Sequence, residues 1–191
     1  MSLIIAVKHD DRVVMMADSY STSGSYRTIL NPESNAKIVI MNDDVLVGGA
    51  GRAFSIDTVT SHPEWFDTKG APLDAKFLIT SVVPKMYEEL SKNKLLKEEK
   101  EGAPAPSVEA RFIVAQNDRI FKIFRDFSVR EMDTVAFIGC TSDFAFTWLE
   151  DDISEDNMLR VLRLSAKHNS GVGAPFVRVD TVNKKIEVVE E

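Results

Sequence analysis

Two apolar runs open the chain, at residues 3–8 (Leu3, Ile4, Ile5, Ala6, Val7) and 12–17 (Val13, Val14, Met15, Met16, Ala17), around a polar His9-Asp10-Asp11 turn. Neither run alternates between polar and apolar positions. Both therefore read as strands covered on two faces, as in a sheet packed between other layers. Residues 19–32 are rich in Ser, Thr and Gly and predict an exposed loop of irregular extended structure. Residues 36–41 predict a third strand and 45–47 a fourth, with Asn42-Asp43-Asp44 as the turn between them. Gly48 to Gly51 is read as breaking that strand, and residues 52–61 as a helix that His62-Pro63 ends.

The period then changes. Leu78, Val82, Met86 and Leu90 recur at four-residue steps and predict a helix over residues 73–93, which Pro84 kinks or breaks. Residues 94–107, Lys/Glu-rich and then Gly-Ala-Pro-Ala-Pro, predict a solvated connection. Strands return at 110–115, 120–124 and 134–138. A helix capped by Thr141 or Ser142 follows through Glu150, burying Phe144, Trp148 and Leu149. Ser154 caps another, with Glu155 and Asp156 favourably placed at its positive end and Met158, Val161 and Leu162 as its apolar stripe. Strands at 176–180 and 185–189, around a turn near Asn183, close the chain. Hairpin-linked strands in that order suggest antiparallel sheets rather than a doubly wound parallel one. The expected fold is α+β, a four-layer αββα sandwich of two antiparallel sheets, in a single domain over residues 1–191.

Composition changes this picture little. The net charge of −7 argues against nucleic acid or an anionic membrane as partner, and no apolar run approaches a membrane span of ~20 residues. The start of the chain lacks the basic flank and cleavage site of a signal peptide. The single cysteine, Cys140, cannot form an intramolecular disulfide, which suits a reducing cytoplasm. His9, His62 and His168 are scattered without metal-ligand spacing, so neither a metal nor another cofactor is expected.

The candidate chemistry lies at the amino terminus. Once Met1 is trimmed, Ser2 is the first residue of a strand, and an α-amino group of pKa near ~7.7–8 is partly a free base at neutral pH. Such an amine can take the hydroxyl's proton, directly or through water. A nearby lysine favours the alkoxide, a carboxylate keeps that lysine charged, and a glycine N–H can stabilise an oxyanion. Ser2, Lys37, Asp18 and Gly48 fill these roles if the first four strands pair.

The order of motifs resembles the proteasome β-type family of amino-terminal-nucleophile hydrolases, including the bacterial peptidase subunit that partners an unfolding ATPase. The resemblance rests on residues 3–7, Val13-Val14-x-x-Ala17-Asp18, Thr22-Ser23-Gly24, Asn35-Ala36-Lys37 and residues 45–51. It implies that Ser2 is the nucleophile and that Asp18 and Lys37 are the acid–lysine pair. It also implies Gly48 as oxyanion donor and Thr22 on an edge that binds substrate backbone as an added strand. Ser21, Leu46 and Ala50 would wall a small apolar specificity pocket, and Cys140 falls near the amine at a position usually serine. Two departures stand out: serine replaces the usual threonine, and Lys167-His168-Asn169-Ser170 occupies the place of an Asp-x-x-Ser pair, leaving His168, Asn169 and Ser170 as supporting candidates. The family further implies a homo-oligomeric ring, a peptide or amide substrate and an ATPase partner.

Plainer readings stand beside these. Ser2 is a frayed terminus, Asp18–Lys37 a structural ion pair, the glycine run a tight connection, and Cys140 an ordinary buried thiol. The glycine run lacks the Gly-Lys-Ser/Thr ending of a phosphate-binding loop. A non-catalytic, ring-forming scaffold on the same fold, or a small-molecule amidase, are the alternative functions.

Overall fold

The computed structural model describes residues 2–24, 26–97, 106–149 and 152–190. In chain order the strands and helices begin β1 (Leu3–Lys8), β2 (Val13–Asp18), β3 (Tyr20–Ser23), β4 (Tyr26–Ile29), β5 (Ile38–Met41), β6 (Val45–Gly51) and α1 (Ala53–Thr60). A 3-10 turn at Pro63–Phe66 precedes α2 (Ala75–Phe77), a π turn at Leu78–Val82 and α3 (Val83–Lys92). Then come β7 (Leu96–Lys97), β8 (Ser107–Val108), β9 (Ala110–Gln116), β10 (Arg119–Ile123), β11 (Val129–Met132) and β12 (Val135–Gly139). Helices α4 (Ser142–Leu149) and α5 (Glu155–His168) lead to β13 (Phe176–Asp180) and β14 (Glu187–Val189).

The strands form two five-stranded sheets, ordered β12-β1-β2-β13-β14 and β11-β10-β9-β6-β5, with two small hairpins, β3–β4 and β7–β8. All of the pairings are antiparallel. The two sheets stack, and Ile4, Ala6, Met15 and Ala17 of the first meet Ile38, Leu46, Ile113 and Ala115 of the second. The other side of the first sheet (Leu3, Ile5, Val14, Met16) packs under α4 and α5 through Leu149, Met158, Val161 and Leu162. The other side of the second (Val47, Phe112, Val114, Phe121) packs under α1 to α3. This is the expected αββα sandwich. It also explains why β1 and β2 do not alternate, since both of their faces are dry.

Several expectations are corrected. Residues 19–32 are not an irregular loop, because β3 and β4 pair from Tyr20↔Ile29 to Ser23↔Tyr26. The glycine run does not break its strand: β6 continues to Gly51, paired with β9 down to Gly51↔Ala110. Glycine there serves close packing, for a Cβ on Gly49 would lie 2.7 Å from Ile56 Cγ2 of α1. The 73–93 helix is interrupted. Pro84 lacks an N–H and crowds the carbonyl four residues back, and the backbone widens into a π turn at Leu78–Val82. The apolar stripe survives, with Leu78, Val82, Met86 and Leu90 fully buried, each worth about 2 kcal/mol. Phe144 is 65% exposed, because Ala145 and Leu149 carry the buried face of α4 while Phe144 stacks on Trp148 one stripe away. Strand β11 adds an element that the polar Arg130-Glu131 pair concealed. Ser154 caps α5 through Asn157 N–H, as expected. The expected connection at 94–107 is seen only at its ends, residues 98–105 lying outside the described residues, as do Met1 and Glu150.

Candidate active site

Asp18, fully buried at the end of β2, organises the site. Its Oδ1 accepts from Lys37 Nζ at 2.7 Å and from Leu3 N–H at 2.9 Å, and its Oδ2 accepts from Tyr20 N–H at 3.0 Å. One carboxylate thus joins the start of β1, the start of β3 and the lysine that precedes β5. Burial pushes the Asp18 carboxyl above its ordinary range despite Lys37, and burial pulls the Lys37 ammonium below its own, against the attraction of Asp18. Burial thus draws the proton affinities of the two groups toward each other.

Ser2 is itself buried at the head of β1. Its carbonyl accepts from Cys140 N–H at 2.8 Å. Gly139, with φ +125°, makes that approach possible, since a Cβ there would sit 1.9 Å from the Ser2 oxygen. Gly139 is a positioning residue that the sequence reading missed; a glycine ending an apolar strand was its only signal.

A cavity of about 690 Å³ has Ser2 and Lys37 on its wall. Ser21 and Thr22 of β3 line it, as expected, with Tyr20 and Ser23 of the same strand. Val39 and, in and before α1, Arg52, Phe54, Ile56, Asp57 and Thr60 also line it, none of which carried a signal in the sequence.

Other expected residues are placed elsewhere. Gly48 does not line the cavity; its Cα faces Met15 and Ile4 between the sheets. Gly49 and Gly51 line it instead. Gly49 N–H donates to Lys37 O at 3.2 Å, so the amides on that side of β6 belong to Gly49 and, by the alternation of a strand, Gly51. Leu46 and Ala50 likewise face the other sheet rather than a specificity pocket, because a two-residue period puts them in register with Gly48. Cys140 is exposed, not buried. His168 and Asn169 line a different cavity, with Thr141, Phe144, Trp148 and Ser165. Asn169 Oδ1 accepts from Gly171 N–H there, and Ser170 is exposed beside it. Among the described residues, no group of three or more His, Cys, Asp or Glu side chains is gathered as a metal site.

Residues 2–65 match the proteasome subunit family model. The whole chain superposes on several solved structures. The family match covers the first third of the chain, and over its full length the chain shares the fold of the structures that follow. It superposes on BPH from Thiobacillus denitrificans with a TM-score of 0.72 at 15% identity, covering 93% of this chain and 96% of that one. The same protein in complex with epoxomicin gives 0.71 at 14% identity, covering 99% and 100%. The Anbu (Gly-1) mutant from Hyphomicrobium sp. strain MC1 gives 0.74 at 14% identity, covering 100% of this chain and 87% of that one. A helical assembly of the Anbu complex from Pseudomonas aeruginosa gives 0.74 at 13% identity, covering 99% and 87%. A search of curated protein sequences gave no match. At such identities the superpositions speak for the fold, and the chemistry rests on the chain's own residues.

Proposed function

We propose that this chain is an amino-terminal-nucleophile hydrolase of the proteasome β type that cleaves peptide or amide bonds with Ser2 once Met1 is removed. The observation that carries the reading is the shared Asp18 Oδ1, which ties the Lys37 ammonium to the Leu3 amide beside Ser2 at the wall of one cavity. In this reading the freed Ser2 amine takes the hydroxyl proton and Oγ attacks the carbonyl carbon. Lys37 favours the alkoxide, and Asp18 holds Lys37 in place. The oxyanion falls to a backbone amide on the cavity wall at Gly51, since Gly49 N–H is already given to Lys37 O. The amine then returns its proton to the leaving nitrogen, and water releases the acyl group from Ser2. A peptide laid against β3 beside Ser21 and Thr22 would add a strand to the β3–β4 hairpin.

Assembly and location complete the proposal. The solved relatives include a helical Anbu assembly, and we infer a homo-oligomer for this chain, with an unfolding ATPase as a candidate partner and the cytoplasm as its compartment. No helix among the described residues is long and apolar enough to cross a membrane.

A scaffold role has one specific observation in its favour: His168 and Asn169, which replace the family's supporting acid, line a cavity apart from Ser2. Intact mass followed by reaction with a β-lactone or boronate separates the two. The enzyme loses Met1 and gains one adduct on Ser2, whereas the scaffold keeps Met1 or gains no adduct after losing it.

A further inference from the structure

A second recess of about 370 Å³ lies on the far side of Tyr20, lined by Tyr20, Arg27, Arg163, Lys167, Val172 and Gly173 among others. Its charge is lopsided. Three cations come from two elements, Arg27 from β4 and Arg163 and Lys167 from α5, and no carboxylate lines it. Among the described residues, none of the three side chains has an ion-pair or hydrogen-bond partner, in a chain whose net charge is −7. Two other arginines differ: Arg178 alone reaches Glu155, Asp180 and Glu187, and Arg119 forks onto Glu131. Three like charges gathered around one concavity repel one another unless an anion sits among them.

The recess is also shaped. The Tyr20 ring lies directly on Gly173, where a Cβ would come within 2.3 Å of the ring carbon Cζ. Ser19 N–H donates to Gly173 O at 3.1 Å, fixing the same contact through the backbone. Buried Val172 and Phe176 close the floor. The result is an apolar base beneath a rim of two guanidinium groups, one ammonium and a phenol ring. Guanidinium groups bind phosphate and carboxylate oxygens in paired, charge-assisted hydrogen bonds.

We propose that this recess between the β3–β4 hairpin and α5 binds a small molecule bearing clustered anionic oxygens, as phosphate groups or as several carboxylates. Tyr20 also lines the Ser2 cavity and gives its amide to Asp18. A ligand held by Arg27 on one side and by Arg163 and Lys167 on the other therefore clamps the hairpin against α5 and steadies β3 beside Ser2. The binding does not depend on Ser2 reacting, so it is tested on protein carrying Ser2→Ala.

The test is calorimetric titration with sodium pyrophosphate and, separately, with citrate, at ionic strength held constant with chloride. Saturable binding at one site per chain is expected, with pyrophosphate alone identifying the phosphate source and citrate alone the carboxylate one. Arg163→Gln with Lys167→Gln should weaken it by about tenfold or more, as should Arg27→Gln on the other element. All three side chains are exposed, so unchanged melting temperatures are the check on folding. Hydrogen exchange at Tyr20–Ser23 should slow on saturation. Absence of saturable binding by both probes, equal binding by the variants, or unchanged exchange along β3 would overturn the proposal.

Discussion

Two ion pairs with buried carboxylates sit at opposite ends of one ladder, where β2 pairs with β13 from Asp18↔Phe176 to Asp180↔Val14. At one end Asp18 holds Lys37, and at the other Asp180 holds Arg178. Both carboxylates are fully buried. The difference is in the company they keep. Burial would raise the Asp180 carboxyl too, but Asn183 through backbone and side chain, Arg178 and the Val182 amide bring it down to about 2. Arg178 is raised, chiefly by Glu155. That end is over-determined and its charges are fixed. At the Ser2 end burial prevails over fewer partners, and the cation is a lysine, which can release its proton where an arginine cannot. One pair is a clamp. The other has its lysine on a cavity wall, and burial rather than its partners sets the direction of both shifts.

The largest expected effect is at the nucleophile. Ser2→Ala should abolish adduct formation and lower amide hydrolysis by about 10³-fold or more, with an unchanged circular dichroism spectrum. Next comes the Asp18–Lys37 pair. Lys37→Met should slow acylation by about 10²-fold and cost about 3 kcal/mol in urea unfolding, since it leaves Asp18 buried without its cation. With Lys37 intact, its lowered affinity for the proton means that the ammonium is lost at a lower pH than an ordinary lysine's, so the acylation rate should fall on that alkaline side. Lys37→Arg should abolish that alkaline fall.

The clamp should behave in the opposite manner. A carboxyl held down to about 2 contributes stability that is full above the unfolded value near ~3.9 and is lost as pH falls through about 2. Asp180→Asn should therefore lower stability by about 2 kcal/mol at pH 7 and by progressively less below pH 4, while adduct formation at pH 7 stays within about twofold. The smallest effect belongs to His168→Ala, which should change the labelling rate by less than about twofold because His168 lines another cavity.

The layers of the fold were legible because its strands are dry on both faces and their apolar runs say so. The Asp18–Lys37 pair was legible through motif order, and the structure joins it at 2.7 Å. Residues on β6 were not. Whether Gly48 or Gly49 faces the cavity turns on strand register, and a one-residue shift exchanges the inward and outward sets. Taking the glycines as a break concealed the register altogether. The wall formed by α1 was equally hidden, because Phe54, Asp57 and Thr60 carry no local signal of the cavity they share with Ser2. Gly139 escaped notice because its role depends on a contact with the far end of the chain.

The most direct test is the pH dependence of single-adduct formation by a β-lactone on Met1-free protein, with the modified residue located by mass spectrometry. The account predicts one adduct, on Ser2, forming at a rate that falls at alkaline pH and drops about 10²-fold in Lys37→Met. An adduct elsewhere, no adduct on Met1-free protein, or a rate indifferent to Lys37 would contradict it.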